Sequence, residues 1–383
     1  MLYRILIVHN AYQQRGGEDS VVDAEISLLR SHGHEVATYF RNNDDITAMP
    51  AASIAIQTLW SSRATTELTD LIHAFKPDVI HVHNTLPLIS PSIYWAAARA
   101  GVPVVQTLHN FRLMCLSALY LRDGKVCEDC VGHLPWRGVV HKCYRESTVA
   151  SGVLAAMLTL HRGLGTYKNK VSRYIALNNF CREKFIEGGL PAELIAVKPN
   201  FVDATVPLAL ARRGLLFVGR LSFEKGLESL AKAAALLPDA QLRVAGEGPQ
   251  AAMLVNIEGV TRIGKLTSSE VWQEMNSAMA LVIPSICYEN FPCTIVEAFS
   301  AGLPVIASRI GALADIVTEG ETGLLFEPDN AQDLADKLSW ALAHPEKMAE
   351  MGRKARLVYE EKYTAEQNYT QLIDIYRSVI KPD

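Results

Sequence analysis

The sequence predicts an α/β protein built from two doubly wound, Rossmann-like domains. Three observations carry this expectation. Short apolar runs alternate with helical stretches through both halves of the chain, the pattern of parallel strands joined by helical crossovers. Both halves contain a strand that runs into a glycine-bearing turn and then a helix, around Gly16-Gly17 and around Gly219 to Gly226, an arrangement that receives phosphate at a helix N-terminus. The length, 383 residues, exceeds one hydrophobic core and suits two.

Composition narrows the class. The chain is 49% apolar and 20% charged, as expected of a soluble globular protein, and its net charge of −4 predicts no bulk affinity for nucleic acid. The first residues, MLYRILIVHN, read as a strand and not as a signal peptide. No segment reaches the roughly eighteen consecutive apolar residues of a membrane span, so a cytoplasmic protein is expected. Its seven cysteines are then expected as thiols or metal ligands in preference to disulfides.

The first domain is expected over residues 1–198. Tyr3 to His9 forms a strand, Asn10 to Gly17 a turn, and Asp19 to Ser31 a helix; the Gly16-Gly17 pair lets backbone approach a ligand closely. The dinucleotide fingerprint is absent, which argues against a nicotinamide dehydrogenase. A second strand starts at Gly33 to Val36. One or two helices follow over residues 45–75. A third strand ends in His83 and Asn84, and a fourth, Val102 to Thr107, runs into Leu108-His109-Asn110. His9, His83 and His109 thus gather at the carboxyl ends of strands, where open α/β sheets bind ligands. Later come an apolar helix, Val149 to Leu164, and strands Arg173 to Leu177 and Ile195 to Lys198.

Residues 112–146 break this rhythm. Cys115, the pair Cys127 and Cys130, and Cys143, with His133 and His141 nearby, have the residue types and C-x-x-C spacing of a structural zinc site. Thiols in an ordered loop and a disulfide are the alternatives. From Arg112 to Arg173, ten Lys and Arg face four acids, a local balance of +6 in a negative chain. Basic residues beside an apolar helix suit an anionic lipid or lipid-diphosphate; the alternative is a core helix with solvated flanks.

The second domain is expected over residues 199–364, after a linker at Pro199 to Asp203 and a low-complexity tract, Ala204 to Arg213. A strand over Gly214 to Val218 leads into Gly219-Arg220-Leu221-Ser222-Phe223-Glu224-Lys225-Gly226. An arginine fork and a lysine point charge five residues apart suit a phosphate clamp; a surface ion pair between Arg220 and Glu224 is the alternative. Strands at Gln241 to Ala245 and Val260 to Ile263 end in Gly246-Glu247-Gly248-Pro249 and Gly264-Lys265-Leu266. After a helix at Ser269 to Met279 comes the apolar run Ala280 to Pro284, then Glu289, then a helix from about Pro292 carrying Glu297. The N–H groups of Asn290, Phe291, Cys293 and Thr294 would open at that helix N-terminus, with Pro292 suited to its first turn. Three further helices, Asp333 to Ala343, Pro345 to Tyr359 and Ala365 to Ile380, close the chain.

The pattern of Glu289, seven intervening residues and Glu297, with a strand before it and AGLPVIAS after it, resembles the donor-site motif of family 4 glycosyltransferases. These are retaining, nucleotide-sugar-dependent enzymes of the GT-B fold. A common family form has Gly where this chain has Asn290. The G-R…K-G turn, the G-x-G-P turn and the Gly-Gly turn agree with the same family, and the resemblance runs from residue 1 to about 375, sharpest over 214–330.

The resemblance implies roles. Arg220 and Lys225 would grip the donor diphosphate, with Gly16, Gly17 and Gly219 beside it. Glu289 would hold the sugar hydroxyls and Glu297 the ribose. Gly246, Glu247, Lys265 and Leu266 would lie near the nucleoside. His109 would face the donor sugar and its scissile bond, and His83 and Asn84 would line the acceptor side. The final helix, 365–383, would cross back to the first domain; packing on its own domain is the alternative. No D-x-D motif is present, so no catalytic metal is expected. The implied activity is transfer of a hexose-type sugar from a UDP- or GDP-sugar to a glycan, lipid-linked or small-molecule acceptor, in surface polysaccharide or glycoconjugate assembly, with peripheral membrane contact through residues 112–173. A nucleotide-sugar epimerase or hydrolase on the same fold, and a non-catalytic sugar-binding protein, are the competing readings.

Overall fold

A computed structural model describes residues 1–203 and 211–380. The chain divides into two compact units: residues 1–120, 128–199 and 368–383 in the first, residues 121–127 and 200–367 in the second. Residues 204–210 of the low-complexity tract lie outside the described residues.

In chain order the strands are β1 Arg4–Ala11, β2 Glu35–Asn42, β3 Val79–Asn84, β4 Val104–Thr107, β5 Leu121–Arg122, β6 Lys125–Val126, β7 Arg173–Ala176, β8 Ile195–Val197, β9 Leu215–Val218, β10 Leu242–Ala245, β11 Val260–Gly264, β12 Ala280–Ile283, β13 Val305–Ser308 and β14 Gly323–Phe326. The first unit holds a six-stranded sheet in the order β2-β1-β3-β4-β7-β8, parallel throughout. The second holds another, β11-β10-β9-β12-β13-β14, also parallel. Strand β12 is buried at every position, which is why ALVI reads as an unbroken apolar run and not as alternation; β3 is as fully buried yet carries His81, His83 and Asn84.

Helices of the first unit are α1 Gly17–Ser31, α2 Ala51–Leu59, α3 Ser62–Phe75, α4 Ile93–Arg99, α5 Trp136–Val140, α6 Thr148–Gly163, α7 Thr166–Asn169 and α8 Asn179–Glu187. The second unit continues with α9 Leu227–Ala235, α10 Ser268–Ser277, α11 Cys293–Ser300, α12 Gly311–Ile316, α13 Ala331–Ala343 and α14 Pro345–Lys362. The last helix, α15 Ala365–Arg377, packs on the first unit's sheet. Its Leu372, Ile373, Ile375 and Tyr376 join Ile5, Ile7, Val79, Val105 and Ile175 in one core cluster. Side-chain caps set several helix starts: Asn178 accepts from the Cys181 amide and Thr267 from that of Glu270, satisfying otherwise orphaned donors.

The insert differs from its zinc expectation. Residues 121–126 form a small antiparallel hairpin, β5-β6, and α5 follows. Cys115 and Cys130 are buried, and Cys127 and Cys143 are half-buried. Among the described residues, one group of three metal-type ligands brings its atoms within 4.8 Å, and it is Glu25, His81 and His83. No group of three of the insert's cysteines and histidines is brought within that distance among the described residues; Cys115 follows Phe111–Leu113, with its Sγ 3.2 Å from the Ser117 hydroxyl.

Candidate functional site

In the second unit β9 lies between β10 and β12, so strand order reverses there. A ligand-binding crevice forms at such a switch point, beyond the carboxyl ends of the two strands. The residues following β9 and β12 are the ones that meet. Lys225 donates from Nζ to Oε1 of Glu289 at 2.6 Å, and the Ser285 hydroxyl donates to the same oxygen at 2.7 Å. Burial would lower the Lys225 pKa, but the Glu289 carboxylate beside it outweighs this and holds it above its ordinary value.

Close backbone packing makes this geometry. Gly226 ends the turn in the left-handed region, φ 68°, and a Cβ there would lie 1.8 Å from the Pro284 carbonyl oxygen. The glycine therefore lets the β9 turn pass directly over the end of β12, carrying Lys225 to Glu289. Gly246, φ 137°, plays the same part on the other side: its missing Cβ would stand 1.8 Å from the Gly219 oxygen. The Gly219 and Leu221 amides donate to Ala245 and Glu247 carbonyls at 3.0 and 2.8 Å.

Arg220 takes the alternative pairing, donating to Glu224 at 2.7 Å and to the Ser222 hydroxyl at 3.2 Å. Its side chain is 64% exposed, so this pair is worth only about 0.2–1 kcal/mol and is readily exchanged. Helix α11 begins at Cys293 with Pro292 as N-cap, so the proline stands one place before the first turn expected for it. A proline has no side-chain acceptor with which to cap the first-turn amides, and no side-chain cap bond is formed there. Asn290 and Phe291 are buried, while Thr294 is half-buried; burial pushes the Cys293 thiol up to about 12. Glu297, on α11, is half-buried. Its carboxyl has no hydrogen-bond or ion-pair partner among the described residues, and burial raises its pKa. Glu247 and Lys265 are exposed, and Leu266 half-buried, at the ends of β10 and β11.

The first unit carries a second polar edge. Its order reverses between β1 and β3; Gly16 and Gly17 follow β1, exposed at the start of α1, and His83 and Asn84 end β3. The Asn84 amide donates to the Asn10 carbonyl across this edge at 2.9 Å. His83 Nδ1 lies 2.9 Å from His109 Nε2, and the two line a hollow with Gln106, Thr107, Asn110 and Arg112.

Beneath this pair is a buried array that the sequence reading missed. Glu25 Oε1 lies 3.0 Å from His81 Nδ1 and 3.4 Å from His83 Nε2. Its other oxygen accepts from Lys198 Nζ at 3.0 Å, and Lys198 also donates to Asn368. Burial alone would raise Glu25, but Lys198 and the two histidines hold its carboxyl well below the usual range. The ammonium of Lys198 already fills the cation position beside Glu25, so this group needs no metal. A carboxylate can only accept. Glu25 thus accepts from Lys198, and of the facing His83 Nδ1 and His109 Nε2 one donates and the other accepts. Burial, then His81, push His83 down to about 3, and burial with His83 lowers His109 well below its usual value. Both rings stay neutral near pH 7.

A further acid pair also escaped the sequence reading. Glu18 accepts from the Tyr12 hydroxyl at 2.9 Å, and burial raises its pKa to about 8. Asp19 accepts from His9 Nε2 at 2.9 Å. Both acids stand directly after Gly16-Gly17, and that adjacency is the signal that could have found them.

With this geometry in hand, the comparisons with known proteins are direct. Residues 16–200 match the model of the glycosyl transferase 4-like domain, and residues 206–358 that of glycosyl transferases group 1. A D-inositol 3-phosphate glycosyltransferase of Pseudarthrobacter chlorophenolicus is 35% identical over 331 residues, 76% of this chain and 72% of that protein. The sulfoquinovosyl transferase SQD2 of Arabidopsis thaliana is 36% identical over 155 residues, 39% of this chain, and the match spans only 30% of that protein's length. Sucrose-phosphate synthase from Thermosynechococcus elongatus superposes with a TM-score of 0.74 at 19% identity, covering 98% of each chain. Anabaena HepE in complex with UDP and glucose gives 0.69 at 17% identity over 98% of this chain and all of that one. The chain belongs to the family 4 type of glycosyltransferases and has the GT-B fold of two Rossmann-like domains. It is an enzyme of the transferase class. No helix among the described residues is long and apolar enough to cross a membrane.

Proposed function

We propose that the chain is a retaining glycosyltransferase that moves a hexose-type sugar from a UDP- or GDP-sugar to an acceptor hydroxyl, in surface polysaccharide or glycoconjugate assembly. The observation that carries this reading is the Lys225–Glu289 contact at the β9/β12 switch point, with the partnerless Glu297 on the helix that follows. In this reading Lys225 and Arg220 take the donor diphosphate, helped by Gly219 and the open end of α11 around Asn290, Phe291, Pro292, Cys293 and Thr294. Glu289 holds sugar hydroxyls, Glu297 the ribose, and Gly246, Glu247, Lys265 and Leu266 the nucleoside. Gly16 and Gly17 approach the diphosphate. The acceptor belongs to the first unit, beside His83 and Asn84, with His109 facing the donor sugar and its scissile bond. Support for a nucleotide donor comes from solved relatives that hold UDP or UDP with glucose. The basic stretch 112–173 supports contact with the cytoplasmic face of a membrane.

In the reaction, the acceptor oxygen bonds the sugar's anomeric carbon while the bond from that carbon to the β-phosphate oxygen breaks. The electron pair leaves with the nucleotide diphosphate, which also receives the acceptor's proton. In this reading Arg220, Lys225 and the α11 N-terminus take up that charge, the largest single source of stabilisation available to such a step.

The test is incubation with UDP- and GDP-hexoses, with and without candidate acceptors, following nucleotide release and the configuration of the product. Acceptor-dependent release with retained anomeric configuration is expected. Free sugar without acceptor would favour a hydrolase, an altered nucleotide-sugar an epimerase, and an inverted product would contradict the retaining reading.

A further inference from the structure

We infer that the first unit binds an amphiphilic acceptor, a phosphate carried on a hydrocarbon chain, with the phosphate between two arginines and the chain in a groove between α2 and α6. The groove has a volume of about 280 Å³ and an apolar lining that includes Ile46, Ile54, Pro87, Ala150, Val153 and Leu154. Ile54, Ala150 and Val153 are only half-buried, so helices that pack well elsewhere leave apolar surface open along this seam. Leu86 lines both this groove and the polar hollow that holds His83 and His109. The two are therefore neighbours across one side chain.

The junction is cationic. Arg112 lines the hollow, and its guanidinium lies 5.0 Å from the centre of the Tyr144 ring, a groove residue. Arg145, also lining the groove, approaches the same ring at 5.4 Å. One tyrosine ring thus meets two like charges. Neither has a carboxylate at ion-pair distance among the described residues, and Arg112 donates only to the Leu116 carbonyl. Ser147, the N-cap of the sixteen-residue helix α6, lines the groove beside them, adding the positive end of a helix dipole. Two guanidiniums without a carboxylate at ion-pair distance are a fitting site for a phosphate or diphosphate, which they can engage through paired hydrogen bonds.

What covers the rest of the face is decided by its exposed apolar residues. Trp136, Val140 and Val149 are 60%, 64% and 78% exposed, on α5 and α6, in a stretch whose charge is strongly positive. Apolar side chains among basic ones suit a bilayer surface carrying anionic lipid. A chain-bearing phosphate drawn from such a surface matches the groove, the arginines and the hollow in sequence. The inference rests on the proposed glycosyl transfer only for which end of the ligand reacts: the hydroxyl-bearing head would lie beside His109.

The test uses the full chain and methyl, butyl and octyl phosphate, titrated calorimetrically below their micelle-forming concentrations. Each methylene taken into the groove should tighten binding about fourfold, so octyl phosphate should exceed butyl phosphate by at least about tenfold. Octanol and inorganic phosphate should each bind at least about tenfold more weakly than octyl phosphate. Ala150→Phe, or Val153→Phe as a second groove variant, should abolish the chain-length gain while keeping phosphate binding. Arg145→Gln should do the reverse. Equal binding of inorganic and octyl phosphate would overturn the inference in favour of a soluble phosphate. Binding to vesicles of phosphatidylcholine with phosphatidic acid, without binding of octyl phosphate, would overturn it in favour of a membrane patch alone. These titrations need no nucleotide, so failure of the donor assignment leaves their outcome readable.

Discussion

Glu297 gives the sharpest prediction, because one substitution should move two observables in opposite directions. Its carboxyl is half-buried without a partner, and burial raises its pKa. A raised acid pKa means the folded state holds the proton more tightly than the unfolded state. Stability is then greatest below the unfolded value and falls as pH rises through the folded one. Above its folded pKa the free protein therefore carries the cost of ionising this group, and Glu297→Gln should raise the melting temperature by an amount that grows with pH. Ligand binding should suffer instead. In the proposed role the carboxylate accepts two ribose hydroxyl hydrogen bonds, each charge-assisted and worth about 1.5 kcal/mol or more, so their loss weakens binding about a hundredfold. A nucleotide diphosphate at 100 times the wild-type dissociation constant stabilises by about 2.7 kcal/mol; for the variant the same concentration gives about 0.4 kcal/mol. In a unit of this size that is a fall from roughly 5–11 °C to 1–2 °C. Thermal melts with UDP, GDP and their hexose conjugates read both effects. A variant that keeps the full ligand shift, or melts lower without ligand, would refute the reasoning.

Other perturbations follow from the same contacts. Lys225→Met should lower kcat/KM by about 10²–10³, in steady-state assays, whereas Lys225→Arg should recover part of it. Gly226→Ala should abolish nucleotide-induced stabilisation, since its Cβ would meet the Pro284 oxygen at 1.8 Å and force the turn apart. In the first unit, Glu25→Gln strands the buried Lys198 ammonium and should cost about 3–5 kcal/mol in urea unfolding, while Glu25→Leu with Lys198→Met should regain most of it. Because the Glu25 pKa is depressed, the stability it contributes should be present above the ordinary glutamate pKa and lost on acidification below it, a slope the double variant should lack.

The strands were legible because parallel strands buried on both faces are written as apolar runs, as in ALVI of β12 and LLFV of β9. Glu289 and Glu297 were legible because an acid in an apolar context stands out, and Arg220 and Lys225 because they follow a strand within a glycine-bounded turn. What could not be read is carried by long-range pairing. Glu25 reads as one polar position of an amphipathic helix; only the fold brings it to Lys198, 173 positions away, and brings Tyr376 within 2.7 Å of His81. The zinc expectation rested on C-x-x-C spacing, which fixes neighbours along the chain but not whether distant cysteines meet. The Arg112–Tyr144–Arg145 stack was visible only as net positive charge, since sequence shows how many cations a segment carries and not which lack acids.

The most direct test of the central claim is a crystal structure of the chain with a nucleotide diphosphate. The account predicts the pyrophosphate within hydrogen-bond reach of Lys225 and Arg220, with the ribose on Glu297. A pyrophosphate bound elsewhere, with Lys225 still closed on Glu289 and Arg220 on Glu224, would contradict it.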